Sequence, residues 1–268
     1  MIKKAKPKIH IASCSFGKDS IATILLALEN NEPLDRVVFS EVMFDHSRNI
    51  SGEIPEHIEW VYSTAIPKLE QMSVKVDVVR AKKDYVTLCK TILGKGKNQG
   101  QMYGLQNSFP CYANSTCKIE PIRAYLKQFN GYDITQYVGI AIDEPKRLAR
   151  LKGTNKVSLL DKYGYTEQMA MDKCNEYNLV SPCYSSGYES RGGCWFCYNA
   201  TIRRYINIRS NFPEYWQALR NLYYETNSTC FKYDKSLEQI EKLMDAYEFK
   251  EKSQLKLFED NGNSKQNI

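Results

Sequence analysis

The chain has 268 residues, of which 43% are hydrophobic and 25% are charged, and its formal net charge is +6. This length is enough for one large domain with an appendage or for two small domains, and the composition is ordinary for a globular protein. No run approaches the roughly 18 apolar residues of a membrane-spanning helix. The basic start, Met1 to Lys8, leads straight into a strand pattern rather than into a signal peptide's apolar region. We therefore expect a cytoplasmic protein without a membrane partner, whose modest positive charge suits an anionic ligand.

The first predicted strand begins at Ile9 and ends in a turn of small residues, and a helix pattern follows at once. The apolar residues at helical spacing are Ile21, Ile24, Leu25 and Leu28. A helix that starts directly behind a strand aims free backbone N–H groups and its positive dipole end at one spot, which attracts phosphate. There Gly17 would let an anion approach the backbone. Ser15 and Ser20 would offer hydroxyl donors, and Lys18 a positive charge.

This turn lacks the spacing of the P-loop and of the dinucleotide-binding fingerprint. Its sequence, Ser15-Phe16-Gly17-Lys18-Asp19-Ser20, resembles the PP-loop, whose pattern is Ser-x-Gly-x-Asp-Ser after the first strand. PP-loop proteins cleave ATP between the α- and β-phosphates or bind a related adenine nucleotide, so the resemblance implies a phosphate site here, with Lys18 and Asp19 as candidate catalytic residues. The alternative is an ordinary strand-to-helix turn. The implied phosphate-binding residues are Ser13, Ser15, Phe16, Gly17, Lys18, Asp19 and Ser20.

Further along, buried strand patterns alternate with helix patterns, which indicates a parallel sheet covered on both faces. We predict an open, doubly wound α/β sheet in which ligands sit at the carboxyl ends of the strands. Asp45, Asp143 and Arg147 fall at or just beyond such ends and should line one crevice with Gly17. The predicted strands cover residues 36–44, 74–80 and 135–142, and the predicted helices cover residues 55–72, 84–93, 118–129 and 166–177.

The C-terminal part reads as helices at about 201–209, 213–226 and 235–249. We therefore expect a nucleotide-binding domain over residues 1–200, a helical extension over 201–258 and a flexible polar tail over 259–268. The polar, glycine-rich stretch 94–100 has no apolar period and is typical of a mobile loop that could close over a ligand.

A wider resemblance covers roughly residues 8 to 200. Three blocks that follow the PP-loop resemble the phosphoadenosine-phosphosulfate (PAPS) reductase family, and they occur in that family's order. They are Cys117 to Arg123, Gly139 to Glu144 with Arg147, and Ser181 to Cys197. The resemblance implies the adenine nucleotide alpha-hydrolase-like fold and a nucleotide site. The family's C-terminal Glu-Cys-Gly motif is absent, because the last cysteine, Cys230, lies in a different context. The chain is therefore similar to divergent members of the family.

Nine cysteines in a protein expected in a reducing compartment are unlikely to form a disulfide framework. Cys194 and Cys197 form a Cys-x-x-Cys pair behind two glycines, and Cys111 and Cys117 form the second close pair. Four thiolates can hold Zn²⁺ in a tetrahedral site or a [4Fe–4S] cluster. Zinc and an iron–sulfur cluster both remain possible, because Cys194 and Cys197 match the iron–sulfur branch of the family, whereas Cys111 and Cys117 do not. The simpler alternative is that these are reduced core cysteines.

Three functions fit these patterns. The first is an ATP pyrophosphatase or adenylating enzyme, helped by Mg²⁺, that activates an acceptor for sulfur or nucleic-acid modification, with RNA or a protein as candidate acceptor. The second is a PAPS or APS sulfonucleotide reductase or sulfotransferase that uses a partner's thiol. The third is a nucleotide-binding sensor or interaction protein without catalysis. The sequence does not identify the acceptor, the nucleotide or the oligomeric state.

Overall fold

The structure is a computed structural model that describes residues 6–184 and 192–263, with side chains as far as residue 251. The block from Ser181 to Cys197 that resembles the PAPS reductase family therefore lies partly outside the described residues, as do the last five residues of the predicted tail. The strands are β1 (Lys8–Cys14), β2 (Arg36–Glu41), β3 (Met43–Asp45), β4 (Ile50–Ser51), β5 (Val76–Arg80), β6 (Asp133–Val138) and β7 (Lys156–Val157). The α-helices are α1 (Lys18–Glu29), α2 (Pro55–Trp60), α3 (Ile66–Gln71), α4 (Tyr85–Cys89), α5 (Tyr112–Asn114), α6 (Glu120–Leu126), α7 (Pro145–Leu148), α8 (Leu159–Lys162), α9 (Glu167–Glu176), α10 (Ile202–Asn211), α11 (Pro213–Glu225) and α12 (Leu237–Asn263).

Five strands form one sheet in the order β5-β2-β1-β6-β7, and every neighbouring pair is parallel. The first strand lies in the middle, because β2 pairs with it on one side and β6 on the other. In the β1–β6 pair Ser13 is in register with Val138, so both strands end at the same level. The short strands β3 and β4, which follow β2 in the chain, form a separate antiparallel pair.

Side chains alternate between the two faces of the sheet, and each face has its own apolar core. On one face Ile9, Ile11 and Val38 pack with Tyr125 of α6. On the other face the alternate positions of the same strands pack with α1, α8 and α9. Because both faces are covered by helices, the predicted open α/β sheet is confirmed.

Two helices are continued by π-helical turns, Val61–Ala65 between α2 and α3 and Ser115–Ile119 between α5 and α6. The second of these turns carries Cys117 and Lys118. The helix predicted from residue 118 therefore starts earlier, at Tyr112. Such insertions occur frequently at functional sites.

The chain divides into two compact units. Among the described residues, the first contains 6–85, 112–184 and 192–193, and the second contains 86–111 and 194–263. The predicted boundary at residue 200 differs from this division, since segment 86–111 groups with the C-terminal helices. Within the second unit the Leu105 N–H donates to Ser228 Oγ over 2.8 Å, and Lys90 pairs with Glu225. These contacts join positions more than 100 residues apart, which a local pattern does not reveal.

The strand predicted over 135–142 ends at Val138, and the chain then turns away at Gly139. The sequence does not predict strand β7, because this strand consists of two exposed residues without an apolar run. No helix in the described ranges is long and apolar enough to cross a bilayer.

Candidate functional site

A recess of about 260 Å³ opens at the carboxyl ends of β1 and β6. The chain leaves β1 toward β2 on one side, whereas β6 lies on the other side, so this is the switch point of the sheet. Ligands of open α/β sheets bind at such points. The lining residues are Ser13, Cys14, Ser15, Ser20, Lys118, Ile122, Val138, Gly139, Ile140, Arg147, Leu151 and Lys156.

The loop between β1 and α1 is held by its own side chains. Ser20 Oγ accepts a hydrogen bond from the Ser15 N–H over 3.2 Å and donates to the Gly17 carbonyl over 2.9 Å. Phe16 has a positive φ of 55°, and its buried ring packs edge-on against Phe39 with the centroids 5.1 Å apart. Core packing therefore fixes a backbone conformation that is uncommon for residues other than glycine.

Two backbone N–H groups of this loop are left for a ligand. The Ser15 N–H is used by Ser20, and the Lys18 N–H donates to Tyr184 Oη over 2.9 Å. The N–H groups of Gly17 and Asp19 have no hydrogen-bond partner within the described residues. They lie at the N-terminus of α1, where the helix dipole favours an anion.

Glycine is required where β6 passes the start of α1. A Cβ atom on Gly139 would lie 2.6 Å from the carbonyl carbon of Asp19 and 2.7 Å from the backbone nitrogen of Ser20. Both neighbours are backbone atoms, which cannot rotate away. At Gly17 the nearest atom would be Tyr184 Oη at 3.1 Å, which is also a tight fit. Of these two glycines, Gly139 lines the recess, so a side chain there would disturb the recess directly.

The ammonium group of Lys18 is committed to carboxylates. It lies 3.0 Å from Asp19 Oδ1 and 2.7 Å from Glu167 Oε2, and the side chain is only 11% exposed. Burial opposes its positive charge, but the hydrogen bonds that it donates to Glu167 and Asp19 outweigh burial and raise the pKa of Lys18. Burial also raises the pKa of Asp19, against the effect of Lys18. Lys18 is not among the residues that line the recess.

Three other cations line the recess instead, namely Lys118, Arg147 and Lys156. Arg147 pairs with Glu144, while Lys118 and Lys156 form no ion pair within the described part of the chain. They come from three separate elements: the π-helical turn, α7 and β7. Lys118 and Arg147 fall in the blocks that resemble the PAPS reductase family. Lys156 carries no local sequence signal and was missed.

The two predicted aspartates have local structural partners. Asp45 accepts hydrogen bonds from Ser47 and from the guanidinium of Arg48. Burial alone would raise the pKa of Asp45, but these bonds outweigh it and lower the pKa. Asp143 accepts from the backbone N–H of Glu167, at the start of α9. Neither aspartate lines the recess, whereas Arg147, predicted with them, does.

Buried His57 supports the loop between β1 and α1 through a hydrogen bond to its backbone. His57 Nε2 lies 3.1 Å from the Ser15 carbonyl, which can only accept, so Nε2 carries the proton. The neutral ring then accepts the Ser181 hydroxyl proton at Nδ1, over 2.7 Å. Burial lowers the pKa of His57, against the field of nearby Glu53. The neutral state fits this pair of bonds.

The four predicted metal-binding cysteines are divided between the two units. Cys117 belongs to the first unit, and Cys111, Cys194 and Cys197 belong to the second. The turn of the Cys-x-x-Cys pair is closed by the Cys197 N–H, which donates to the Cys194 carbonyl, and Tyr205 Oη donates to the Cys197 carbonyl. Across the described residues no three His, Cys, Asp or Glu side chains are grouped so as to hold a metal ion. The four-cysteine site stays a prediction.

No family model and no curated protein matches this sequence. Among solved structures, the chain is similar to the U34-tRNA thiolase NcsA from Methanococcus maripaludis with its [4Fe–4S] cluster. The two chains share 15% sequence identity with a TM-score of 0.42, and the match covers 84% of this chain and 73% of that chain. With a likeness this weak, function has to be inferred from the recess itself.

Proposed function

We propose that this protein binds ATP or a related adenine nucleotide with its phosphates in the recess between β1 and β6. The supporting observation is that Lys118 and Lys156 line the recess without an ion-pair partner among the described residues. The N–H groups of Gly17 and Asp19, in the loop whose Ser15 and Ser20 line the same recess, have no hydrogen-bond partner there either. Unpaired cations gathered around one recess repel each other, and a polyanion relieves that repulsion. The resemblance of residues 15–20 to the PP-loop supports the same ligand.

The reaction that suits this arrangement is adenylation of an acceptor in sulfur or nucleic-acid modification. An acceptor oxygen would attack the α-phosphorus, the bond to the β-phosphate would break, and pyrophosphate would leave with the electron pair. The cations and N–H groups would neutralise the charge that builds up on the leaving group. Catalysis would then rest on positioning and charge rather than on a protein nucleophile.

Neither metal group enters this scheme as a protein-held centre. Magnesium prefers oxygen ligands, yet no carboxylate lines the recess. Mg²⁺ would therefore arrive with the nucleotide and neutralise its phosphates. A zinc ion or iron–sulfur cluster on Cys111, Cys117, Cys194 and Cys197 would stabilise the fold, and no step depends on it.

Binding can be tested by calorimetry with ATP on variants that remove one charge at a time. Lys118→Ala and Lys156→Ala should each weaken ATP binding at least tenfold, or about 1.4 kcal/mol. Lys18→Ala should weaken it less, because that charge is already neutralised by Asp19 and Glu167. Lys75→Ala, at the amino end of β5, is the matched control and should leave the affinity unchanged. Equal affinities in all four variants would rule out the recess as the phosphate site.

Product analysis tests the reaction. Release of AMP and pyrophosphate from labelled ATP in the presence of an acceptor supports adenylation. Sulfite release from PAPS with a thiol donor would instead support a sulfonucleotide reductase. Tight binding with no turnover under either condition would favour a sensor that kept the pocket without the chemistry.

A further inference from the structure

The segment that follows the recess-lining loop of β6 is strongly and exclusively basic. Residues 145–157 contain five cations and no carboxylate. The cations are Lys146, Arg147, Arg150, Lys152 and Lys156, and all five are exposed. Only Arg147 forms an ion pair within the described part of the chain. In a stretch this short, so many unpaired like charges destabilise the folded state unless a counter-charge binds.

A groove of about 580 Å³ lies along this segment, next to the recess. Its lining includes Lys152 and, shared with the recess, Leu151 and Lys156. One carboxylate, Asp161, lies on its wall. The groove therefore borders the proposed phosphate site at two shared side chains, and its charge is predominantly positive.

We propose that residues 145–157 form the docking surface for the acceptor of the reaction, and that this acceptor is a single-stranded nucleic acid held by its phosphodiester backbone. This inference rests on the proposed function, because it supplies the acceptor which that reaction needs. The strand would follow the groove past Lys152 and present its reacting group at Lys156, the side chain common to groove and recess.

The chemistry of the lining favours a phosphate backbone over other partners. Apart from Ser158 and Asp161, the groove is lined by lysines and aliphatic side chains, and no aromatic ring is among its lining residues. Contacts would therefore be made to phosphates and would depend little on base identity. A single strand fits better than a duplex, because a recess of about 260 Å³ admits only a group that a flexible strand can turn out of its stack.

The test uses the full chain and a fluorescein-labelled oligouridylate, with fluorescence anisotropy as a function of salt. The variant Lys146→Glu/Arg150→Glu/Lys152→Glu changes three cations that do not line the recess. Its affinity should fall at least tenfold at about 0.1 M salt. The slope of log K against log salt should become shallower by roughly 2, since each lost contact to a single strand removes about 0.7.

A control with the same change in net charge is Lys75→Glu/Lys127→Glu/Lys242→Glu, which alters exposed lysines outside the segment. It should keep most of the affinity and the wild-type slope. An equal loss in both triple variants would mean that only net charge matters and would overturn the docking surface. Stronger binding of a duplex than of the single strand would also overturn the docking surface. Displacement of the strand by polyglutamate at equal charge concentration would overturn it as well. Oligodeoxyuridylate of equal length reports which sugar is preferred, and binding of either strand supports the inference.

ATP affinity, measured on the same proteins, separates the two proposals. The groove variant should bind ATP with the wild-type affinity, because Lys118, Lys156 and the loop are intact. A wild-type protein that binds ATP but no strand would overturn this inference alone. One that binds the strand but no adenine nucleotide would overturn the proposed function.

Discussion

Two basic regions of this protein use their positive charges in opposite ways. In the second unit three arginines of α10 and α11 are paired with carboxylates of α12. The pairs are Arg203 with Glu251, Arg209 with Asp245 and Glu248, and Arg220 with Glu241. In segment 145–157 four of the five cations have no such partner among the described residues. These three arginines of the first region are satisfied internally, whereas most cations of the second have no ion-pair partner among the described residues.

Whether a cation has an ion-pair partner in the structure indicates its role better than the number of cations in the sequence does. We expect paired cations to serve the fold and unpaired clusters to bind an anion. Paired surface charges contribute modestly to stability and need nothing else. Unpaired clusters are mutually repulsive, so binding an anion relieves a cost that the folded protein otherwise carries. Substitution in the first region should therefore change stability, and substitution around the recess should change binding.

The largest expected effect comes from distorting the backbone at the recess without removing any charge. Gly139→Ala would place a methyl group within 2.7 Å of the backbone of Asp19 and Ser20, so β6 or the start of α1 must move. We expect a loss of roughly 1–3 kcal/mol in the free energy of unfolding and a much larger proportional loss of ATP affinity. Urea denaturation and calorimetry measure the two effects.

Gly131→Ala is the control for that substitution, because its Cβ would meet no atom within 4 Å. It should match the wild type in ATP affinity. If Gly139→Ala also bound ATP normally, the recess would not be the site on which the comparison depends.

Cys14 gives the next effect, at alkaline pH. Burial raises the pKa of its thiol from 9.0 to about 11, against the effect of the hydrogen bond between Cys14 Sγ and Ser20 Oγ. The folded state therefore keeps the proton that the unfolded state loses above pH 9. The Cys14 thiol therefore leaves the free energy of unfolding unchanged below pH 9 and lowers it by up to roughly 3 kcal/mol as the pH rises to 11. Denaturation of Cys14→Ala between pH 8 and about 11 should show a shallower alkaline decline than the wild type, and identical declines would contradict this prediction.

His57 gives a smaller effect on the acid side. Burial lowers the pKa of His57 below 6.5, so His57 binds a proton at a higher pH in the unfolded state than in the folded state. Stability should therefore fall as the pH drops below about 6.5. The groups that face the ring are Glu53, Lys118, the Ser15 carbonyl and the Ser181 hydroxyl. His57→Gln keeps an N–H donor without the titration, and its stability should depend less on pH in this range. Parallel curves for the two proteins would show that other groups cause the acid decline.

The smallest effect belongs to the paired region. Arg209→Ala removes ion pairs with Asp245 and Glu248 from a side chain that is 25% exposed. The expected loss is about 0.5–1 kcal/mol of unfolding free energy with no change in ATP affinity. Thermal denaturation and calorimetry give both values. A tenfold change in the ATP affinity of Arg209→Ala would contradict the expectation that only the unpaired cations affect ATP binding.

The parts of this structure that follow from neighbours in sequence could be predicted from the sequence. The loop at residues 15–20 and the helix behind it follow from small residues next to an apolar helical pattern. The alternation of strands and helices indicated the parallel sheet, since buried parallel strands are continuously apolar. Arg147 was placed at the edge where the recess opens, because it follows a predicted strand end.

Features that depend on distant residues could not be predicted in this way. Lys18 looks like a phosphate ligand until Glu167, 149 positions away, is seen to hold its ammonium group. Lys156 enters the recess from a two-residue strand that carries no apolar signal. Segment 86–111 belongs with the C-terminal helices because of contacts such as Leu105 with Ser228, across 123 positions. In each case the deciding interaction is tertiary and overrides the local pattern.

Phe16 shows that a variable position in a motif can still be tightly constrained. Its backbone is left-handed, a conformation that disfavours large side chains, while its ring is buried to 1% exposure against Phe39. A glycine there would relax the backbone and empty part of the core. A β-branched residue would resist the backbone angle, and a lysine would bring a charge into the sheet's interior. Substitution at this position is thus limited to side chains that tolerate both a left-handed backbone and full burial.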